Sequence, residues 1–161
     1  MSEASVTFIK NIISAIIETI EIQCERKYTA AKAIKEEEFK KKDYCVSGVI
    51  GVTSEFFTGS VALVFTSDSF LDIMSGMMGE EYESIDDDLV DGCAELLNIA
   101  YGTVKKKLNE HGYKISMAIP SVVYGDKLKI KDIGNDPSVK IPFCSGDHIF
   151  LVSINFENSH K

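Results

Sequence analysis

Residues 84–112 read Ser84-Ile85-Asp86-Asp87-Asp88-Leu89-Val90-Asp91-Gly92-Cys93-Ala94-Glu95-Leu96-Leu97-Asn98-Ile99-Ala100-Tyr101-Gly102-Thr103-Val104-Lys105-Lys106-Lys107-Leu108-Asn109-Glu110-His111-Gly112. Ser84 is placed to cap a helix, and three aspartates follow where the helix dipole is positive. Three lysines stand near the other end, where it is negative, and Gly112 supplies a stop. Leu89, Cys93, Leu96, Ala100, Val104 and Leu108 recur at helical spacing and make one apolar stripe. At ~100° per residue, with Leu89 at the origin, that stripe centres at roughly 30–40°. Asp91, Glu95, Asn98 and Gly102 fall at about 180–240°, on the opposite and solvent-directed side. Glu95 and Asn98 are three residues apart, so they are neighbours on that side. A glycine such as Gly102 inside a helix costs about 1 kcal/mol relative to alanine, and leaving room for another backbone is one reason to tolerate it.

The flanking sequence completes an α+β pattern. Phe8, Ile9, Ile12, Ile13, Ile16, Ile17 and Ile20 predict a first amphipathic helix over residues 5–24. A charged stretch over 26–42 has room for a short strand at 29–34. Residues 44–52 and 60–66 then form a hairpin around a polar turn at 54–59. Ser67 caps a short helix through Phe70, Leu71, Ile73, Met74, Met77 and Met78, stopped by Gly79. After the long helix, strands are expected at 114–118, 122–125, 128–133, 139–143 and 148–156, punctuated by Gly, Asn, Asp and Pro. Helix, hairpin, two helices and then strands implies a mostly antiparallel sheet, with two long helices and a short one packed on it. Residues 1–161 read as a single domain.

Composition narrows the function classes. The chain carries 25 acidic against 17 basic residues, a net charge of −8. Such a surface repels a phosphate backbone, so nucleic acid is not an expected partner. Cys24, Cys45, Cys93 and Cys144 have no zinc-ligand spacing and are expected as buried, reduced thiols. No apolar run approaches the ~20 residues of a membrane span, and Met1-Ser2-Glu3 does not open a signal peptide. The expected compartment is the cytoplasm, with no membrane partner. His111, His148 and His160 are isolated, Ser121 lacks a nucleophile-elbow setting, and no glycine-rich nucleotide loop is present.

Glu-x-x-Asn alone is an ordinary solvated helix face, but its surroundings are not ordinary. The segment from Asp91 to Gly102 resembles the signature helix of the CheC/CheX/FliY phosphatases of bacterial chemotaxis, in which an acid or serine precedes the Glu by four and the Asn follows by three. Ile119-Pro120-Ser121-Val122-Val123 resembles that family's strand entered through a proline, and Asp126-Lys127-Leu128-Lys129-Ile130 the strand after it. Gly59-Ser60-Val61-Ala62-Leu63-Val64-Phe65 matches the hairpin, and Met74-Ser75-Gly76-Met77-Met78-Gly79 the short helix before the signature. The first helix has Glu18-Thr19-Ile20-Glu21, with no Asn three after Glu18, so one site per chain is expected, as in the CheX branch.

The resemblance implies a CheC-like fold and a phosphatase acting on a phosphorylated CheY-like receiver domain. It implies that Asn98 positions the attacking water and that Glu95 pairs with the receiver's lysine, while Asp91 and Gly102 lie against the partner. No cofactor of the chain's own is implied, since Mg²⁺ arrives with the receiver. A homodimer built by sheet extension is also implied, and the β-rich segment 26–52 offers a candidate edge. The other readings are an adaptor of the same fold that binds without hydrolysing, and a purely structural or oligomerisation role.

Overall fold

The computed structural model describes residues 3–116, 119–131 and 138–158. The first apolar stripe winds into α1 (Glu3–Cys24), which buries Phe8, Ile9, Ile12, Ile16 and Ile20. Glu25, at φ 52°, turns the chain out of the helix. The departing segment is then pinned to α3 (Ser67–Met78). Arg26 Nε donates to one Asp72 oxygen at 2.9 Å, and Tyr28 donates its hydroxyl to the other at 2.7 Å.

The strand anticipated over 29–34 is reduced to β1 (Thr29–Ala30) and an isolated bridge at Ile34. A short helix that the sequence pattern does not announce, α2 (Glu36–Phe39), intervenes. It is held by Lys140, only 4% exposed, whose Nζ stands 2.8 Å from Glu36 Oε2 and lies over the Phe39 ring. Next come β2 (Tyr44–Thr53) and β3 (Phe57–Phe65). Their hairpin is tighter than expected, because Ser54 Oγ accepts from the Phe56 and Phe57 amides and lets residues 57–59 join the strand.

Two helix starts also differ from expectation. Thr66, not Ser67, caps α3, and Asp86, not Ser84, caps α4 (Asp87–Glu110) by accepting from the Leu89 amide at 2.9 Å. In each case the cap is the residue whose extended backbone brings its side-chain oxygen to the free amides, one residue before the expected cap in α3 and two after it in α4. Gly79 ends α3 in the left-handed conformation at φ 71°.

β4 (Ser121–Leu128), β5 (Val139–Ser145) and β6 (His148–Asn158) follow. Residues 114–116 form no strand: Lys114 has φ 52°, and the Ile115 amide is taken by Asn109 Oδ1 at 2.6 Å. The two strands expected at 122–125 and 128–133 are one. A left-handed Lys127 and a register shift opposite Tyr44–Val46 absorb the turn signal, and residues 129–131 leave the sheet. The remaining parts of those expectations, 117–118 and 132–133, lie outside the described residues, as does His160.

The strands form a six-stranded, wholly antiparallel sheet in the order β1-β5-β6-β3-β2-β4. Alternating residues of β3 face opposite ways. Val61, Leu63 and Phe65 join the main core with α1, α3 and α4. Val64 joins a small second core on the other face with Phe39, Tyr44 and Leu151. Because β2 is paired on both sides, residues 44–53 cannot be the sheet edge anticipated within 26–52; the edges are β1 and β4. Among the described residues, no helix is long and apolar enough to cross a membrane.

Candidate functional site

The long helix α4 lies on the sheet with its apolar stripe inward. Leu89, Cys93, Leu96, Ala100, Val104 and Leu108 are all buried, and so are Leu97 and Tyr101, which widen the stripe toward β2. Three contacts fix it from behind. Leu97 fills the space above Gly48 on β2, where a Cβ would stand 2.2 Å from Leu97 Cδ1. Tyr101 donates its hydroxyl to the Ser116 carbonyl. Lys107 Nζ meets Glu18 Oε2 of α1 at 2.8 Å. Gly48 is the positioning residue that helix periodicity does not find; the available signal was a glycine inside a strand pattern, which marks close approach of a neighbour.

On the outer side, Asp91, Glu95, Asn98 and Gly102 are all exposed, so the four residues expected to share a face do so. Neither Glu95 nor Asn98 makes a hydrogen bond or ion pair among the described residues, and both side chains are available to a partner. Three residues along a helix advance about 4.5 Å, so the carboxylate and the amide are spaced to reach two groups of one docked molecule. A Cβ built on Gly102 would meet nothing within 4 Å, which leaves a gap in the side-chain layer one turn beyond Asn98.

The first helix offers no second copy of this arrangement. Glu18 is taken by Lys107, whose hydrogen bond and charge hold the carboxyl below its usual pKa. The residue three further on is Glu21, an acid where an amide would be needed. Elsewhere, His111 Nδ1 lies 2.9 Å from the Lys107 carbonyl and belongs to the end of α4. Cys24 and Cys93 are buried, and desolvation pushes both thiols up to about 12. Cys45 and Cys144, expected to be buried, are only partly so.

A family model described as chemotaxis phosphatase CheX matches residues 46–144, more than half of the chain and all of α4. The CheY-P phosphatase CheX of Thermotoga maritima is 37% identical over 87 residues, which take in 53% of this chain and 56% of that protein. The match thus spans little more than half the length of that curated relative. Among solved structures, a CheC-like superfamily protein from Shewanella sp. PV-4 superimposes with a TM-score of 0.84 and 29% identity, covering 94% of this chain and 98% of that one. The chemotaxis protein CheX from Vibrio vulnificus does so at 0.83 and 26%, covering 93% and 99%.

Proposed function

The chain belongs to the chemotaxis phosphatase CheX family, and on that premise we propose that it hydrolyses the aspartyl phosphate of a CheY-like receiver domain. The observation that carries this reading is the pairing of Glu95 with Asn98 on one exposed face, unpartnered among the described residues, on a helix anchored from behind.

An acyl phosphate needs little covalent help to hydrolyse; it needs a water held in line with the leaving carboxylate oxygen. Asn98 suits that role, because a side-chain amide both accepts and donates hydrogen bonds without adding charge beside the phosphoryl group. Glu95, one turn earlier, pairs with the receiver's lysine through a charge-assisted contact and fixes the docked geometry. Asp91 extends the contact by a further turn, and the gap at Gly102 admits the receiver's backbone. The Mg²⁺ that balances the phosphate charge belongs to the phosphorylated receiver, the substrate.

We further propose that two chains pair through the outer edge of β4. Among the described residues nothing pairs with that edge, and Val123 and Tyr124 on it are 55% and 48% exposed, apolar side chains that a second strand would cover.

The reading is tested by following phosphate release from a phosphorylated receiver with and without catalytic amounts of the protein. Acceleration with turnover supports hydrolysis. Stoichiometric binding without acceleration replaces it with the adaptor reading.

A further inference from the structure

The face of the sheet turned away from α4 carries a second feature that the phosphatase reading does not use. Between the end of α2 and the end of β4 lies a half-open cavity of about 250 Å³, floored by Phe39, Tyr44, Leu128 and Ile130. Phe39 and Tyr44 are stacked at 5.0 Å and belong to the small second core. The rest of the lining among the described residues is Lys40, Lys42, Lys129 and Lys131, with no acid. Lys40 is shared with Glu36 at 3.6 Å; the other three make no ion pair among the described residues. On a chain of net charge −8, four lysines around an apolar floor concentrate positive potential where the overall field is negative.

From this we propose that the cavity is a docking site for an acidic polypeptide segment that presents one large apolar side chain between carboxylates. Charge complementarity sets the sign of the occupant. Volume sets its form: the cavity lies below the ~300–1,000 Å³ usual for a whole small-molecule ligand, yet it accommodates a single aromatic or aliphatic anchor. The lysines come from two separate segments, 40–42 and 129–131, that both line the cavity. That layout suits carboxylates before and after the anchor in a chain better than one compact anion. Concavity argues against a flat lipid surface. Because the cavity lies across the sheet from Glu95 and Asn98, its occupant and a docked receiver do not compete for the same face.

The test is fluorescence polarisation with a labelled nonapeptide of Asp and Glu around one central Phe. Binding is expected in the range of about 10–100 μM, falling at least about tenfold with raised salt or in the K42A/K129A/K131A variant. Replacing the peptide's Phe by Ser should lower affinity to a similar degree, and that comparison uses the unaltered protein. A matching circular dichroism spectrum shows that the triple variant is folded. Absence of binding at millimolar peptide, equal affinity for the Ser peptide, or no effect of the lysine changes would each overturn the proposal. So would complete competition by phenylacetate at equal concentration, or preferential binding to anionic phosphatidylserine vesicles, since each would assign the cavity to a different ligand.

Discussion

Gly48 on β2 lies directly beneath Leu97 on α4, so close that a β-carbon on the glycine would stand 2.2 Å from Leu97 Cδ1. The height of the helix above the sheet, and with it the position of the neighbouring Asn98, is set by a missing side chain. Gly48→Ala therefore forces Leu97 out of its place in a filled core. The expected loss is about 1–3 kcal/mol of stability, the usual range for overpacking, read from urea unfolding. Receiver dephosphorylation should slow as well, although residue 48 touches no solvent on that face.

The buried Lys140 anchors α2 through Glu36, which also meets Lys40. Glu36→Ala takes that carboxylate away from the buried ammonium, which also lies over Phe39 and beside Ser138. A destabilisation of about 1–3 kcal/mol is expected, below the value for a fully buried pair because Glu36 is partly exposed. The combined K140M/E36Q change should recover part of that loss, since it removes the buried ammonium together with its Glu36 contact. Equilibrium unfolding of the single and double variants checks this.

Alkaline pH should weaken the fold through its two buried thiols. Cys24 and Cys93 are pushed up to about 12 in the folded chain, and desolvation is the leading cause for both. An unfolded thiol ionises near ~8.5, so the unfolded chain loses its protons first as pH rises. The thiol contribution is fully present below about 8.5 and declines by ~1.4 kcal/mol per pH unit per thiol between there and the folded values. Urea midpoints at pH 8 and pH 10 should show the fall, and Cys93→Ala should reduce its slope.

Pairing through β4 makes a separate prediction. Charges introduced at the exposed apolar positions, V123K/Y124K, should convert a dimer to a monomer in analytical ultracentrifugation while leaving the circular dichroism spectrum unchanged. A wild-type chain that sediments as a monomer at all concentrations would contradict the dimer.

The helix carrying the site was legible because every local signal agreed there: acids at one end, lysines at the other, and a stripe at one period between them. Its outward face followed from the same arithmetic, so Asp91, Glu95, Asn98 and Gly102 stand where periodicity puts them. Less was legible where tertiary contacts decide. Nothing local marks Lys140 as buried, since its partner Glu36 is over a hundred residues away in sequence. The stretch after Gly112 suggested a strand, but Asn109 captures the Ile115 amide first and Lys114 takes a left-handed turn. The turn signal at Asp126-Lys127 was real; a register shift within one strand absorbs it instead of a break between two. Ser54 closes the first hairpin with its own hydroxyl, so residues expected in the turn became strand.

The most direct test of the proposed chemistry is the rate of phosphate release from a phosphorylated CheY-like receiver by the wild-type protein and by Asn98→Ala. The side chain is exposed and makes no hydrogen bond among the described residues, so the variant should fold normally and still bind the receiver through Glu95. Its catalysed rate should fall by about 10²-fold or more, the scale of losing one well-placed catalytic group. An Asn98→Ala protein that dephosphorylates the receiver at the wild-type rate would contradict the assignment.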